Sequence, residues 1–294
     1  MATSENNSVN VPNDRRDRIR WYNGDIEEES IAPARKLLEE YSNIPSDQVI
    51  AHIHAVRDKA WKIHPYPCIG RFRFLDLSIS LHPLYPTVLA RLSNTSTPQT
   101  LLDLGCCFGQ DIRRLVADGV RGENLYGVDL RLQFLELGYE LFRDKVSLRA
   151  HFLEGDVFEE DAEAEGGKEL STLDGKIDII YAASFLHLFD WEEQVRVGMR
   201  MVRFMRGDSL VFGRQVGTTK PGPYPRRMDP SRSRYTHDPD SFQRLWDEVG
   251  EKTGTKWKVI AELKTVKGWE REVQEEHGAG ESRMVLQFEV HRLG

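Results

Sequence analysis

Three short acidic clusters define the chemistry this chain can offer. The first is Asp103-Leu104-Gly105-Cys106-Cys107-Phe108-Gly109, where a carboxylate and two glycines follow an apolar run. Glycine tolerates positive φ and lets the backbone approach a ligand closely, so the spacing suits a tight turn around a bound nucleotide. The second is Asp129, which ends Tyr126-Gly127-Val128-Asp129 before Leu130. A carboxylate there can accept hydrogen bonds from ribose hydroxyls, the logic of dinucleotide folds. The third is Gly155-Asp156-Val157, a Gly-Asp turn after another apolar run. A dinucleotide fingerprint beginning at Gly105 needs glycine at positions 107 and 110. The chain has Cys107 and Gln110 there, so no pyrophosphate cradle is complete.

Fewer residues point to catalysis. His187, at the end of Ala182-Ala183-Ser184-Phe185-Leu186-His187, is a candidate base or orienter, with a structural histidine as the alternative. Arg214, Arg226 and Arg227 belong to an arginine-rich stretch that can hold an acidic substrate by bidentate pairing, or simply be a solvated loop. Trp21, Tyr22, Trp61, Tyr66, Phe72 and Phe74 can roof an apolar acceptor, with ordinary core or interface packing as the alternative for more than half of them. They also motivate the expectation of a homodimer. Cys68, Cys106 and Cys107 lack zinc-ligand spacing and make a poor disulfide framework, so no metal is expected and a reducing, cytoplasmic setting fits.

The elements that must position these groups follow from periodicity. From Thr100 onward short apolar runs alternate with helical segments, the pattern of βαβ units around a parallel sheet. Strands are expected at Thr100–Leu104, Leu125–Asp129, Ala150–Glu154, Ile177–Ala182 and Ser209–Gly213. Helices are expected at Asp111–Asp118, Arg131–Phe142 and Trp191–Phe204. Val216–Tyr235 reads as a loop. Asp238 then caps a helix with Pro239 in its first turn, and two closing strands follow at Lys256–Val266 and Arg283–His291. Before this core, Ala34–Tyr41 and a segment capped by Asp47 read as helices. Phe72 to Ile79 is an apolar stretch, and His82-Pro83-Leu84-Tyr85-Pro86 opens another helix. The chain thus divides into a disordered leader (1–20), a helical cap with substrate and dimer roles (21–96) and a nucleotide-binding core (97–294). Glu159–Lys168 is read as an exposed acidic loop.

The segment Asp103 to Gly109 resembles the first motif of class I methyltransferases, with Cys107 where a middle glycine is common. Trp21-Tyr22-Asn23-Gly24, Ile63-His64-Pro65-Tyr66-Pro67-Cys68-Ile69-Gly70, Leu101 to Asp111 and Phe185-Leu186-His187-Leu188-Phe189 together resemble fungal methyltransferases of meroterpenoid biosynthesis. That resemblance implies a Rossmann-like α/β fold, a mostly parallel seven-stranded sheet with a terminal antiparallel pair. It implies S-adenosylmethionine as cofactor, held by Asp103, Gly105, Gly109, Asp129, Leu130, Asp156 and Val157, with Asp156 and Val157 reading the adenine. It also implies esterification of the carboxyl group of a farnesylated aromatic polyketide acid. No assembled base-and-partner pair is visible, which suits a carboxylate acceptor, since that group is ionised at neutral pH. Methylation of a phenol or small amine, and a non-catalytic cofactor-binding partner, are the alternatives.

Bulk properties narrow the field. With 294 residues, 39% hydrophobic and 30% charged, the chain can build a sizeable core. Its formal net charge of −7 argues against general nucleic-acid binding. No apolar run reaches the roughly 20 residues that span a bilayer.

Overall fold

The structure is a computed structural model that describes residues 21–159, 169–226, 229–265 and 284–293. The expected leader, most of the acidic loop and Arg227 lie outside the described residues. The core is a seven-stranded sheet in the order β3-β2-β1-β4-β5-β9-β8. Its strands are β1 (Leu101–Leu104), β2 (Leu125–Asp129), β3 (His151–Glu154), β4 (Ile177–Tyr181), β5 (Met205–Gly217), β8 (Lys256–Lys264) and β9 (Met284–Leu293). Strands β1 to β5 run parallel, β9 is antiparallel to β5, and β8 is antiparallel to β9. This is the expected parallel sheet with a terminal antiparallel pair. Every residue of β1 and β4 is buried, because helices cover both faces of a parallel sheet.

The register sets the site. Leu101 pairs with Leu125 on one side and Ile179 on the other, so Asp103, Asp129 and Tyr181 reach the carboxyl edge together. The chain leaves β1 for β2 on one side and returns to β4 on the other. That switch point opens a crevice beyond the strand ends.

Two readings of the sequence need correction. Strand β5 spans 205–217 rather than 209–213, with a register shift between Ile177 and Ile179 and Gly207 at φ 58°. The Gly-Asp pair that hides this extension sits in that irregular part of the strand. The stretch read as a loop from Val216 to Tyr235 contains an antiparallel hairpin, β6 (Gly222–Pro225) with β7 (Ser233–Thr236). Its inward alternation was masked because the buried residues of β7 are the polar Arg234 and Thr236.

The cap folds largely as expected, with helices α1 (Ala32–Glu40), α2 (Val49–Ile63) and α3 (Tyr85–Leu92). Gln48, not Asp47, occupies the N-cap of α2, and no side-chain cap bond is made there. Phe72 to Ile79 becomes two 3₁₀ turns, entered through Phe72 at φ 56° and Leu77 at φ 44°. Most of the cap aromatics pack inside rather than roofing a pocket. Tyr22 stacks edge-on against Trp61, Arg57 lies 3.9 Å over Tyr22 and 4.4 Å over Phe72, and Phe74 meets Phe108. Helix α4 (Gln110–Ala117) follows β1 and α5 (Leu132–Phe142) follows β2. Helices α6 (Trp191–Phe204) and α7 (Pro239–Thr253) complete the core, each opened by an aspartate capping box at Asp190 and Asp238. No helix among the described residues is long and apolar enough to cross a membrane.

Candidate functional site

The turn after β1 is built from left-handed backbone. Gly105 has φ 79°, Cys107 55° and Gly109 64°. Both Gly105 and Cys106 donate their N–H groups to the Val128 carbonyl, at 2.8 and 3.0 Å, which fastens the turn to β2. A Cβ on Gly105 would lie 2.6 Å from the Phe185 ring, and one on Gly109 2.6 Å from Phe152. Both glycines are therefore sterically required. Cys107 stands where glycine would be at ease, at a cost of about 1–2 kcal/mol for a left-handed non-glycine residue. Its backbone N–H donates to Asp129 Oδ2 at 2.9 Å, and its side chain packs against the cap core, which offsets that cost.

Asp129 carries the clearest electrostatic signature. Its Oδ1 accepts from the Arg131 N–H at 3.1 Å, so each carboxylate oxygen holds one backbone donor and keeps a lone pair for a ligand. Burial pushes its carboxyl up to about 6, against the opposing pull of the Cys107 and Arg131 N–H groups. Asp103 is 3% exposed, and its Oδ2 is buried with no hydrogen-bond partner among the described residues. Burial, then the neighbouring Asp111 and Asp129, raise it well above the usual carboxylate range. An orphaned buried acceptor beside a glycine cradle fits a cationic, polar ligand end.

The third cluster completes the row. The Gly155 N–H donates to the Asp129 carbonyl at 3.1 Å, placing Asp156 and the buried Val157 next to β2. Asp156 Oδ1 accepts from the Phe158 N–H. Leu130 is 53% exposed beside Asp129 and offers an apolar face to a flat ring. Asp103, Gly105, Gly109, Asp129, Leu130, Asp156 and Val157 thus lie along one edge of the sheet. The residues present fit S-adenosylmethionine: an acceptor pair for ribose, a glycine turn and an unmatched buried carboxylate.

On the other side of the crevice, the Ser184 N–H donates to the Arg214 carbonyl at 2.7 Å, with Ser184 itself at φ 53°. Phe185 lies against Gly105 and 5.2 Å from Phe189, which in turn meets Phe158 at 5.0 Å, forming an aromatic wall. His187 follows in the short 3₁₀ turn Leu186–Leu188 and is half-buried. The arginine candidates separate. Arg226 and Arg232 both bind Glu193, tying the β6–β7 hairpin to the start of α6. Arg214 instead faces the cap, donating to Asp76 at 3.0 Å, while its buried Nε has no partner among the described residues.

Sequence reasoning missed a buried polar cluster beneath the cap. Asp111 Oδ1 accepts from the Ile79 N–H at 2.9 Å, and Ser78 Oγ lies 2.7 Å from Tyr181 Oη. Burial raises the Asp111 carboxyl, while Arg214 opposes the rise. The available signal was weak: Asp111 is an acidic residue in the first turn of α4, where dipole compensation is the ordinary explanation. A second missed group is His237, fully buried between Ser241 Oγ (2.9 Å) and Gln194 Oε1 (3.1 Å), whose burial pushes it down to about 3. It is a neutral structural histidine.

Residues 21–75 match a family model described as the meroterpenoid methyltransferase N-terminal domain, and 102–212 match a methyltransferase domain. The O-methyltransferase atr3 of Stereocaulon alpinum is 45% identical, covering 99% of this chain and 78% of that protein. The Asnovolin E/Chermesin D methyltransferase nvfJ of Aspergillus novofumigatus is 40% identical, covering 77% of this chain and 79% of its own length. Among solved structures, Burkholderia thailandensis 1,6-didemethyltoxoflavin-N1-methyltransferase, bound to 1,6-didemethyltoxoflavin and S-adenosylhomocysteine, superposes with a TM-score of 0.50 at 14% identity. It covers 83% of this chain and 90% of that one, and it supports the fold. With that fold, the glycine turn and the Asp129 edge in place, the chain belongs to the fungal meroterpenoid methyltransferase family, whose class I core uses S-adenosylmethionine.

Proposed function

We propose that this chain is a carboxyl O-methyltransferase that esterifies a farnesylated aromatic polyketide acid. The observation that carries the carboxylate reading is Arg214 at the carboxyl end of β5. Arg214 donates to Asp76, and its buried Nε has no partner among the described residues. That spare guanidinium donor suits an anionic acceptor. The Phe158, Phe185 and Phe189 wall suits its apolar body.

When bound, S-adenosylmethionine supplies an electrophilic methyl group on a sulfonium, and its electron pair stays on sulfur as the new carbon–oxygen bond forms. The chain's share is placement. Gly105 permits close backbone approach, and Asp129 fixes the ribose. Arg214 orients an acceptor carboxylate that is already ionised and needs no base. The aromatic wall excludes water from the approach path. We read residues 21–96 as cap and 97–294 as core, with His187 lining rather than driving the reaction. The three free thiols support a cytoplasmic setting. A homodimer is part of the same reading, and a monomeric mass by light scattering would remove it.

The test is mass-spectrometric detection of methyl transfer to prenylated aromatic acids, with the decarboxylated phenols as controls. Esters from the acids alone are expected, with Arg214→Leu raising KM for the acid at least tenfold. Methylated phenols whose formation requires His187 would instead establish the phenol reading, favoured by the position of that half-buried imidazole beside the aromatic wall. No methylated product from any acceptor would identify a cofactor-binding partner.

A further inference from the structure

The stretch Ile63 to Gly70 carries two prolines and an aromatic between them, Pro65-Tyr66-Pro67. It leaves the end of α2, makes a single helical turn at Pro67–Gly70 and packs over the cofactor turn, where Tyr66, Ile69 and Cys107 share one apolar cluster. Tyr66 is extended, at φ −65° and ψ 142°, as the residue before a proline must be. Its carbonyl accepts the N–H groups of Ile69 and Gly70. A Cβ on Gly70 would strike the Trp21 carbonyl at 2.2 Å, so the turn is seated without slack.

This turn meets the ribose edge through Arg131. The Arg131 N–H already binds Asp129, and its Nη2 reaches His64 Nδ1 at 3.2 Å. His64 lies against Tyr66 with ring centroids 4.0 Å apart, and the Arg131 guanidinium sits 5.8 Å from the Tyr66 ring centre. Burial pushes His64 down to about 4, so its imidazole is neutral and Nδ1 accepts from the arginine. The Arg131 Nε is buried and has no partner among the described residues. Tyr66 is half-buried, and both Arg131 and Asp129 act on its hydroxyl. One side of Asp129 is therefore closed by two cap residues and one core residue that leave donor capacity unused.

We propose that Tyr66 and Arg131 complete the ribose site from the cap side, with His64 positioning Arg131, so that the cap is part of the cofactor site. Each supplies a hydrogen-bond donor to a ribose oxygen that Asp129 does not fully satisfy.

The experiment is calorimetric and uses no acceptor, so it stands or falls independently of the carboxylate reading. S-adenosylhomocysteine and its ribose-deoxygenated analogue are titrated into the full chain and into Tyr66→Phe and Arg131→Leu. Loss of one hydrogen bond to ligand predicts about fivefold to tenfold weaker binding of S-adenosylhomocysteine by each variant. Against the deoxygenated analogue, each variant should differ from the parent by less than twofold. Equal losses with both ligands would assign the two residues a purely structural role and overturn the proposal, as would unchanged affinity for S-adenosylhomocysteine. His64→Gln, which keeps an acceptor near Arg131, should retain affinity within twofold, whereas His64→Leu should mimic Arg131→Leu. Tyr66→Phe should melt within about 2 °C of the parent without ligand, which separates a binding defect from a folding defect.

Discussion

Substituting Asp129 tests the cofactor site most directly. The carboxylate holds the Cys107 and Arg131 N–H groups, one on each oxygen, and each oxygen keeps a further lone pair. Asn is nearly isosteric but has one acceptor oxygen. Its amide nitrogen must point at one of those two backbone donors, and a ribose hydroxyl loses a charged acceptor. A hydrogen bond to a charged group is worth about 1.5–3 kcal/mol, so Asp129→Asn should weaken S-adenosylhomocysteine binding by about ten- to 150-fold. The pH profile supplies the sharper test. Burial lifts the folded carboxyl to about 6, and the ionised form is the one that accepts from ribose. Wild-type affinity should therefore be flat above about pH 7 and fall by up to tenfold per unit as pH drops through 6. The Asn variant should lack that component. Calorimetry at pH 5, 6 and 7.5 reads both effects. Affinity within threefold of wild type for the variant, or the same pH slope in both proteins, would refute the ribose assignment.

Three further outcomes follow from the packing. Gly105→Ala places a methyl group 2.6 Å from Phe185 at φ 79°, and should cost about 1–2 kcal/mol, seen as a melting point lowered by roughly 2–8 °C. The same variant should bind S-adenosylhomocysteine at least tenfold more weakly, and normal values for both quantities would sink the steric account. Arg113→Met strands the buried Asp144 carboxylate, which it meets at 2.7 and 2.9 Å, and should cost about 3–5 kcal/mol in urea unfolding. Adding Asp144→Leu should recover part of that loss, and a double variant weaker than the single one would contradict it. His237 is held down to about 3 while the unfolded imidazole titrates near 6.5. Its contribution makes stability rise with pH across that interval, so it is fully present above 6.5 and lost on acidification. Replacing it with Asn should reduce the stability lost between pH 7.5 and 5 by about 2 kcal/mol, and an unchanged loss would count against a buried neutral His237.

The sheet was legible because its strands are continuous apolar runs closed by carboxylates and glycines. Leu125–Asp129 and Trp191–Phe204 match their expected bounds. The row of carboxylates at the strand ends was legible for the same reason, since Asp103, Asp129 and Asp156 recur at equivalent points of successive βα units. Three kinds of information were not. Arg234 and Thr236 are buried polar residues, so hydrophobic patterning could not announce β7. Arg226 looked like a free cation until Glu193 was found beside it, a partner 33 positions away in sequence. The contacts of Ser78 and Ile79 with Tyr181 and Asp111 join segments that only the fold brings together. Single-chain spacing reports local periodicity well and tertiary pairing poorly.

The aromatic packing at the base of the cap has a practical consequence. Ile53, Val56, Phe72 and Phe74 form one cluster with Phe108, Phe134, Leu141 and Phe142, and Tyr41 donates to the same Asp144 that neutralises Arg113. The segment 21–75 is a unit of descent, matched by its own family model, but not a unit of melting. Excised, it would strip cover from Phe108 and Phe134 and leave both halves with raw apolar faces. Grafting the corresponding segment of a relative onto this chain should succeed only when the receiving residues on α5 travel with it.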